Sequence, residues 1–180
     1  MLLSAHETLL LVIDIQERLL PAMQDGERVV RNTGILLQAA AALRVPTLLT
    51  EQYPRGLGGT VAQVRAAAGD SAVLEKMHFS AWREPTIRDR IVSAARSQVV
   101  IAGIEAHVCV LQTALDLTAE GRRVMVVADA VSSRQADSVA LAHARLQAAG
   151  VGLATTEMCL FEWLGTASHP EFKALSKLIR

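Results

Sequence analysis

The feature that most constrains the fold of this 180-residue chain is a set of six short apolar runs separated by helical patterns. The runs are continuously apolar rather than alternating, which is typical of parallel strands covered on both faces. The predicted strands are Leu9–Ile13, Thr47–Leu49, Ala72–Leu74, Val99–Ala102, Val124–Ala128 and Val151–Ala154. Their alternation with helices predicts a single doubly wound α/β domain over residues 1–180, in which a mainly parallel six-stranded sheet lies between two layers of helices.

Two of the connecting segments carry further predictions. Residues 106–119 form a helical pattern that is apolar on nearly all sides and ends before Gly121. Such a helix must be buried on both sides. The sheet can cover one side, and a second subunit is a candidate for the other. Residues 51–60 contain Pro54 and three glycines, and we interpret them as a surface loop near the pocket.

The charge balance narrows the function classes. Lys plus Arg is 18 and Asp plus Glu is 18, which gives a net charge of zero. This balance argues against nucleic-acid and membrane partners, and no apolar run approaches the roughly 20 residues that span a bilayer. Because 51% of the residues are hydrophobic and net charge does little to separate copies, we expect a homo-oligomer. Two cysteines and no signal-type N-terminus favour a cytoplasmic protein.

Three reactive side chains follow the ends of predicted strands. Asp14 follows the first, Lys76 the third and Cys109 the fourth. Because ligands of open parallel sheets bind outside the carboxyl ends of the strands, an acid, a cation and a thiol are expected at one edge. Each residue also has an ordinary alternative: Asp14 as a helix N-cap, Lys76 as a solvated strand end, and Cys109 as a small buried apolar side chain.

Cys109 is the candidate nucleophile. It lies about one helical turn beyond its strand, where unpaired N–H groups and the helix dipole favour negative charge. We therefore expect a lowered thiol pKa, N–H donors for an oxyanion, Asp14 as the proton acceptor and Lys76 as a charge that favours thiolate. Cys159 has no such neighbours and is expected in the core.

Metal and phosphate chemistry receive little support. The five histidines are dispersed, and neither a His-x-x-x-His nor a Cys-x-x-Cys pair occurs, so we expect no metal and no cofactor. The first strand leads into Asp14 and Ile15 without the glycine-rich turn of a phosphate-binding loop. Asp129, after the fifth strand, is expected to cap the turn that follows.

Several sequence strings carry a resemblance to a known family. The chain resembles the isochorismatase-like cysteine hydrolases from about Leu9 to its C-terminus, nearest the small isochorismatase-domain proteins without a settled substrate. The strings are Val12 to Gln16, Glu75 to Ala81, Gly103 to Val110, Val127 to Arg134 and Thr156 to Met158.

The resemblance implies an Asp–Lys–Cys catalytic triad on Asp14, Lys76 and Cys109. It also implies a non-proline cis peptide between Ile104 and Glu105, and an oxyanion hole formed by the N–H groups of Glu105 and Cys109. In the nicotinamidase branch, an Asp-x-His motif after the second strand binds a metal. Glu51 to Pro54 stand there in this chain and argue against nicotinamide hydrolysis. Cys109 argues against isochorismate itself, because true isochorismatases lack this cysteine.

The function that follows is hydrolysis of an amide-type C–N bond in a small-molecule substrate through a thioester. Gln16, Phe79 and Trp82 are candidate pocket residues, although core packing is an equal alternative for the two aromatic side chains. The rival function is a non-catalytic small-molecule-binding or scaffolding protein that keeps the family pocket. A redox role for the thiol is less favoured, because Cys159 lies on a different predicted helix and no resolving cysteine is evident.

Overall fold

The computed structural model of the protein describes residues 2–179 and contains one six-stranded sheet in that range. All five strand pairings are parallel, in the order β3-β2-β1-β4-β5-β6. The strands are β1 (Thr8–Ile13), β2 (Thr47–Gln52), β3 (Ala72–Lys76), β4 (Gln98–Ile104), β5 (Arg123–Ser132) and β6 (Gly152–Ala154). This arrangement confirms the predicted doubly wound α/β fold.

Eight α-helices lie within residues 2–179. They are α1 (Gly26–Ala42), α2 (Pro54–Leu57), α3 (Ala62–Ala68), α4 (Pro85–Ser93), α5 (Leu111–Ala119), α6 (Ala136–Ala148), α7 (Thr156–Leu164) and α8 (Phe172–Leu175). A π-helical turn, Ala106–Val110, precedes α5, and short 3-10 turns occupy Leu20–Ala22 and Ala81–Arg83.

The helices divide into two layers because side chains along a strand alternate between the faces of the sheet. Leu10 and Val12 of β1 enter a core with α1, α3, α7 and α8. Leu9, Leu11 and Ile13 enter the opposite core, with α4, α5 and α6. All six residues of β1 are buried, which explains why this strand is a continuous apolar run.

The position of the candidate site follows from the strand order. The chain passes from β1 to β2 and β3 on one side, then crosses over to place β4 on the other side of β1. The connections that leave β1 and β4 therefore diverge toward opposite halves of the sheet. A crevice forms at such a switch point, outside the carboxyl ends of the two strands.

Gly103 allows β1 and β4 to approach closely at this point. Its φ angle is +119°, a conformation that favours glycine. A Cβ atom at Gly103 would lie 2.0 Å from the carbonyl oxygen of Ile13, so a side chain has no room. The requirement for glycine here is therefore a packing requirement next to the candidate site.

Three local predictions are corrected by the structure. Residues 51–60 are not one loop: β2 continues to Gln52, and the short helix α2 follows. Residues 106–119 are not one α-helix, since the first five form the π-helical turn. Asp129 lies within β5 and does not cap the next turn; its Oδ1 accepts hydrogen bonds from the N–H (2.8 Å) and hydroxyl (2.9 Å) of Thr156 at the start of α7.

The far side of α5 is less covered than its apolar pattern predicts. Leu111, Ala114 and Leu117 are buried against the sheet, whereas Leu115 and Thr118 are partly exposed. One chain therefore covers only one side of this helix completely. A second subunit on the other side stays a prediction.

Candidate active site

Asp14 is the first residue after β1, and its side chain is completely buried. Its backbone has a φ angle of +53°, which is uncommon for a residue other than glycine and turns the chain sharply out of the sheet. The Thr50 hydroxyl donates a hydrogen bond to Oδ1 at 2.7 Å. Within residues 2–179 the carboxylate accepts no bond from a backbone N–H, so the structure does not support the N-cap alternative.

Lys76 is the last residue of β3, and its ammonium group lies 2.7 Å from Asp14 Oδ2. Neither side chain of this ion pair has exposed surface, so Lys76 is not a solvated strand end. Nζ donates further hydrogen bonds to Gln52 Oε1 (2.7 Å) and to the carbonyl oxygens of Phe79 (3.1 Å) and His78 (3.2 Å). A buried charge is tolerated where it is both paired and hydrogen-bonded, as here.

One oxygen of the Asp14 carboxylate keeps hydrogen-bonding capacity. Oδ2 is close enough to Nζ for an ion pair, but their approach lacks the angle of a hydrogen bond. Within residues 2–179, no other group donates to this buried oxygen. It is therefore available to accept a proton from a neighbouring donor.

Cys109 lies in the π-helical turn, with only 6% of the residue exposed. The pKa of its thiol is raised from 9.0 to about 12, mainly by burial and in addition by the nearby Asp14 carboxylate, while the Lys76 ammonium opposes both effects. The acid, the cation and the thiol, which come from three separate segments, therefore meet at one place.

The expectation of a lowered thiol pKa is wrong for the free protein. Burial disfavours the thiolate, the like charge of Asp14 disfavours it further, and together these effects outweigh the favourable charge of Lys76. The resting group is therefore a protonated thiol, and a reaction at Cys109 needs a base to remove its proton. The Asp14 carboxylate lies close enough to the thiol to raise its pKa.

Glu105 joins β4 to the π-helical turn through a cis peptide bond with Ile104. Its carboxylate Oε2 accepts two 3.1 Å hydrogen bonds, from the N–H and the Nε of Arg134. Its carbonyl accepts from the N–H groups of Val108 (3.1 Å) and Val110 (3.2 Å). Over residues 2–179, the Glu105 N–H donates to no protein acceptor, so it is available to a ligand.

The three predicted pocket residues lie in different environments. Gln16 is buried, and its side-chain amide bonds the backbone of Gln52 and Gly58, which fixes the segment after β2. Phe79 is 54% exposed, and Trp82 is half-buried against the core of α4, α5 and α6. Their contact with a substrate stays a prediction.

Two residues that hydrogen-bond to the ion pair, Thr50 and Gln52, were not predicted as site residues from the sequence. Thr50 pairs with Ile13 in the sheet, and Gln52 pairs with Lys76. Neither residue belongs to a family string, so their roles become visible only through strand register.

The cavities do not coincide with the thiol. A groove of about 1090 Å³ lies between α1, α3 and Leu178. A smaller cavity of about 370 Å³ lies beside Lys76 and includes Tyr53, Met77 and Glu84 in its lining. Among the described residues, the lining of the large groove contains no cysteine, serine, threonine or lysine, whereas the buried ion pair adjoins a thiol.

Within 2–179, no three His, Cys, Asp or Glu side chains are grouped to hold a metal ion. Across the same range, no helix combines the length and apolarity needed to cross a membrane.

The chain is similar to known proteins over most of its length. The family model described as "Isochorismatase domain" matches residues 8–158. Isochorismatase domain-containing protein 2 of Danio rerio is 40% identical over 177 residues, which cover 98% of this chain and 89% of that protein.

Two solved structures are similar over nearly the whole chain. The MAR1 ribonuclease of Caenorhabditis elegans has a TM-score of 0.94 and 36% identity, with 99% of this chain and 92% of that one covered. The YcaC gene product of Escherichia coli, described as an octameric hydrolase of unknown specificity, has a TM-score of 0.93 and 25% identity, with coverages of 99% and 89%. The match to the family model and the extent of these similarities show that the chain belongs to the isochorismatase family.

Proposed function

We propose that this protein is a cysteine hydrolase that cleaves an amide-type C–N bond of a small molecule through a thioester. The observation that carries the proposal is the buried Asp14–Lys76 ion pair, which adjoins the Cys109 thiol at the switch point of the sheet. Family membership supports hydrolase chemistry in general. The identity of the nucleophile and of the bond is our inference from the residues.

The first step is formation of the thioester. Asp14 accepts the thiol proton as the sulfur of Cys109 attacks the substrate carbonyl, so a carbon–sulfur bond forms and the carbonyl electron pair moves to oxygen. The N–H groups of Glu105 and Cys109 then stabilise the oxyanion, and an oxyanion donor contributes about a hundredfold or more to the rate. Lys76 balances the charge of Asp14 before the transfer and of the thiolate during it.

Departure of the amine completes the thioester, and its hydrolysis then regenerates the enzyme. Asp14 donates its proton to the departing nitrogen, the C–N bond breaks, and ammonia or an amine leaves. A water molecule then transfers a proton to Asp14 and attacks the thioester. The carboxylic acid product leaves, and Cys109 recovers its proton from Asp14.

The site favours a small substrate over a polymer. Cys109 and Glu105 are 6% and 7% exposed, and Asp14 is fully buried. A polynucleotide needs an open cationic surface, whereas this chain has no net charge. We therefore place a small amide ahead of RNA, although one structural relative carries the name ribonuclease.

We also infer that the protein is a cytoplasmic homo-oligomer. The partly exposed side of α5 supports an assembly, and a relative of similar structure is described as octameric. Sedimentation that returns only the 19.3 kDa monomer would contradict it.

The test is an ammonia-release assay with acetamide, propionamide and benzamide, run beside an RNA cleavage assay. We expect release of ammonia that Cys109→Ala abolishes and Cys159→Ala retains, and a covalent acyl adduct on Cys109 in quenched samples by mass spectrometry. Turnover that survives in Cys109→Ala would overturn the mechanism. Binding of these amides without turnover would instead favour the binding or scaffolding protein.

A further inference from the structure

Gln52 contacts the buried ammonium of Lys76 but has no part in the steps of the proposed mechanism. It ends β2 and pairs in register with Lys76, which ends β3. Its Oε1 lies 2.7 Å from the lysine Nζ, as close as the carboxylate of Asp14. The strongest neutral contact of the buried ammonium is therefore a side chain rather than the backbone.

The orientation of the Gln52 amide is chemically determined. Its Nε2 donates to the carbonyl oxygen of Met77 at 2.9 Å, and a carbonyl can only accept. An ammonium can only donate, so the amide oxygen must face Lys76. Rotating the amide by 180° would break both bonds, which means that the network permits one arrangement.

The backbone of Gln52 is held equally firmly. Its N–H donates to Gln16 Oε1 at 2.8 Å, and its carbonyl accepts from Gln16 Nε2 at 3.0 Å. Gln16 is fully buried, so these bonds are shielded from water. The buried glutamine thus positions the strand end that in turn positions the ammonium.

The ammonium has no N–H left for a substrate. Three N–H groups face four oxygen atoms, from Asp14, Gln52, His78 and Phe79. Lys76 therefore acts on the reaction through its charge, which lowers the pKa of the Cys109 thiol against the effects of burial and Asp14. How strongly it acts depends on how much negative charge its other partners carry.

We propose that Gln52 is a positioning residue that holds the Lys76 ammonium with a neutral acceptor, so that Asp14 is the only carboxylate among residues 2–179 that is paired with it. The inference rests on the proposed function, in which Lys76 acts on Cys109. A glutamate at position 52 would keep the shape and the contact with Nζ but would make the local charge one unit more negative. Thiolate formation beside it would then be disfavoured.

Other charged groups surround this end of the sheet. Asp14 and Cys109 face the ammonium, and more distant groups line the neighbouring cavity or bond its rim; these are Arg55, Glu75, His78 and Glu84. They are common to every variant compared below, so they do not affect the differences.

The experiment measures the pH dependence of Cys109 alkylation by iodoacetamide in Gln52→Glu, with adducts located by peptide mass spectrometry. We expect alkylation at pH 9 to slow at least tenfold, which corresponds to an upward displacement of the profile by one pH unit or more. Gln63→Glu is the matched control, because it adds the same charge on the exposed part of α3. That variant should stay within twofold of the wild-type protein.

A neutral variant separates charge from shape. Gln52→Met loses both side-chain hydrogen bonds without adding charge, so its alkylation profile should keep its position on the pH axis. Its kcat on the fastest amide of the panel should fall at least tenfold while KM stays within threefold, because a positioning residue acts on Lys76 and not on substrate binding. Unchanged kcat would contradict the positioning role, even if Gln52→Glu does not fold.

Failure of the inference about Gln52 can be distinguished from failure of the proposed function. Equal profiles for Gln52→Glu and Gln63→Glu would overturn this inference and leave amide hydrolysis by the wild-type protein intact. Amide turnover that persists in Cys109→Ala would overturn the proposed function, whatever the Gln52 variants do.

Discussion

Opposite effects of Asp14 and Lys76 on the Cys109 thiol are the sharpest prediction of the site geometry. With a thiol pKa of about 12, the thiolate fraction at pH 7.5 is about 3 × 10⁻⁵, against roughly 0.03 for a thiol with the ordinary pKa of 9.0. Cys109 should therefore react with iodoacetamide about 1,000-fold more slowly than a free thiol, before its limited exposure slows it further.

Asp14→Asn should accelerate this alkylation. The substitution removes a negative charge that raises the pKa of the thiol and leaves Lys76, which lowers it, without its ion-pair partner. We expect at least a tenfold increase at pH 7.5, since one pKa unit changes the thiolate fraction about tenfold. Lys76→Met removes the opposing charge, so alkylation should slow by a similar factor.

Amide turnover should respond differently, because it needs a base as well as a thiolate. Both substitutions should reduce kcat by about 10²-fold or more, the usual contribution of general acid–base catalysis. The combination in Asp14→Asn of faster alkylation and lost turnover distinguishes a base from a residue that only supports the fold.

The assay needs a check on folding. Breaking a buried ion pair costs about 3–5 kcal/mol, so circular dichroism and thermal unfolding should accompany each measurement. Asp25→Asn is the matched control: it removes a carboxylate from the exposed pair with Arg28, and its alkylation rate should be unchanged. Slower alkylation in folded Asp14→Asn would refute the reasoning.

Three further predictions concern stability. Gly103→Ala should destabilise the fold by about 3 kcal/mol or more, because the new methyl group would clash with β1. Gly34→Ala lies in an open position inside α1 and should stabilise the fold by about 0.5–1 kcal/mol. Equal denaturation midpoints for the two variants would contradict this. The pKa values of Cys109 and Cys159 are both raised from 9.0 to about 12, mainly by burial, so the contribution of each thiol to the free energy of unfolding should be fully present below pH 9. It should fall by about 1.4 kcal/mol per pH unit per thiol up to pH 12, and urea titrations at pH 8 and 10 should show a smaller fall in Cys159→Ala. Burial lowers the pKa of His143 below 6.5, so its contribution to the free energy of unfolding is present above pH 6.5 and is lost as the pH falls. Between pH 7 and 5, His143→Gln should therefore lose less stability than the wild-type protein. Equal losses would exclude this role.

The apolar runs identified all six strands and the fold class, but several strand ends lay further along the chain than predicted. Glu51 and Gln52 extend β2, and Glu75 and Lys76 extend β3. These polar residues belong to the sheet because their backbone groups pair with neighbouring strands, and an apolar pattern does not report backbone pairing.

The site residues also divide into those that the sequence predicts and those that depend on strand pairing. Asp14, Lys76 and Cys109 could be proposed from their places after strands and from family strings. The carboxylate and the ammonium are indeed paired, at 2.7 Å. Gln52 could not be proposed, because its role depends on which residue of β3 lies opposite it.

The sequence by itself determined the alternation of strands and helices, the family and the chemical types of the reactive residues, because these depend on local periodicity and residue identity. Tertiary structure decided the strand order that places the switch point between β1 and β4, and the burial that leaves Cys109 a protonated thiol. Both outcomes depend on contacts between segments far apart in the chain. The electrostatic cost of a charge is set by how much water those contacts exclude, and no local pattern of residues reports it.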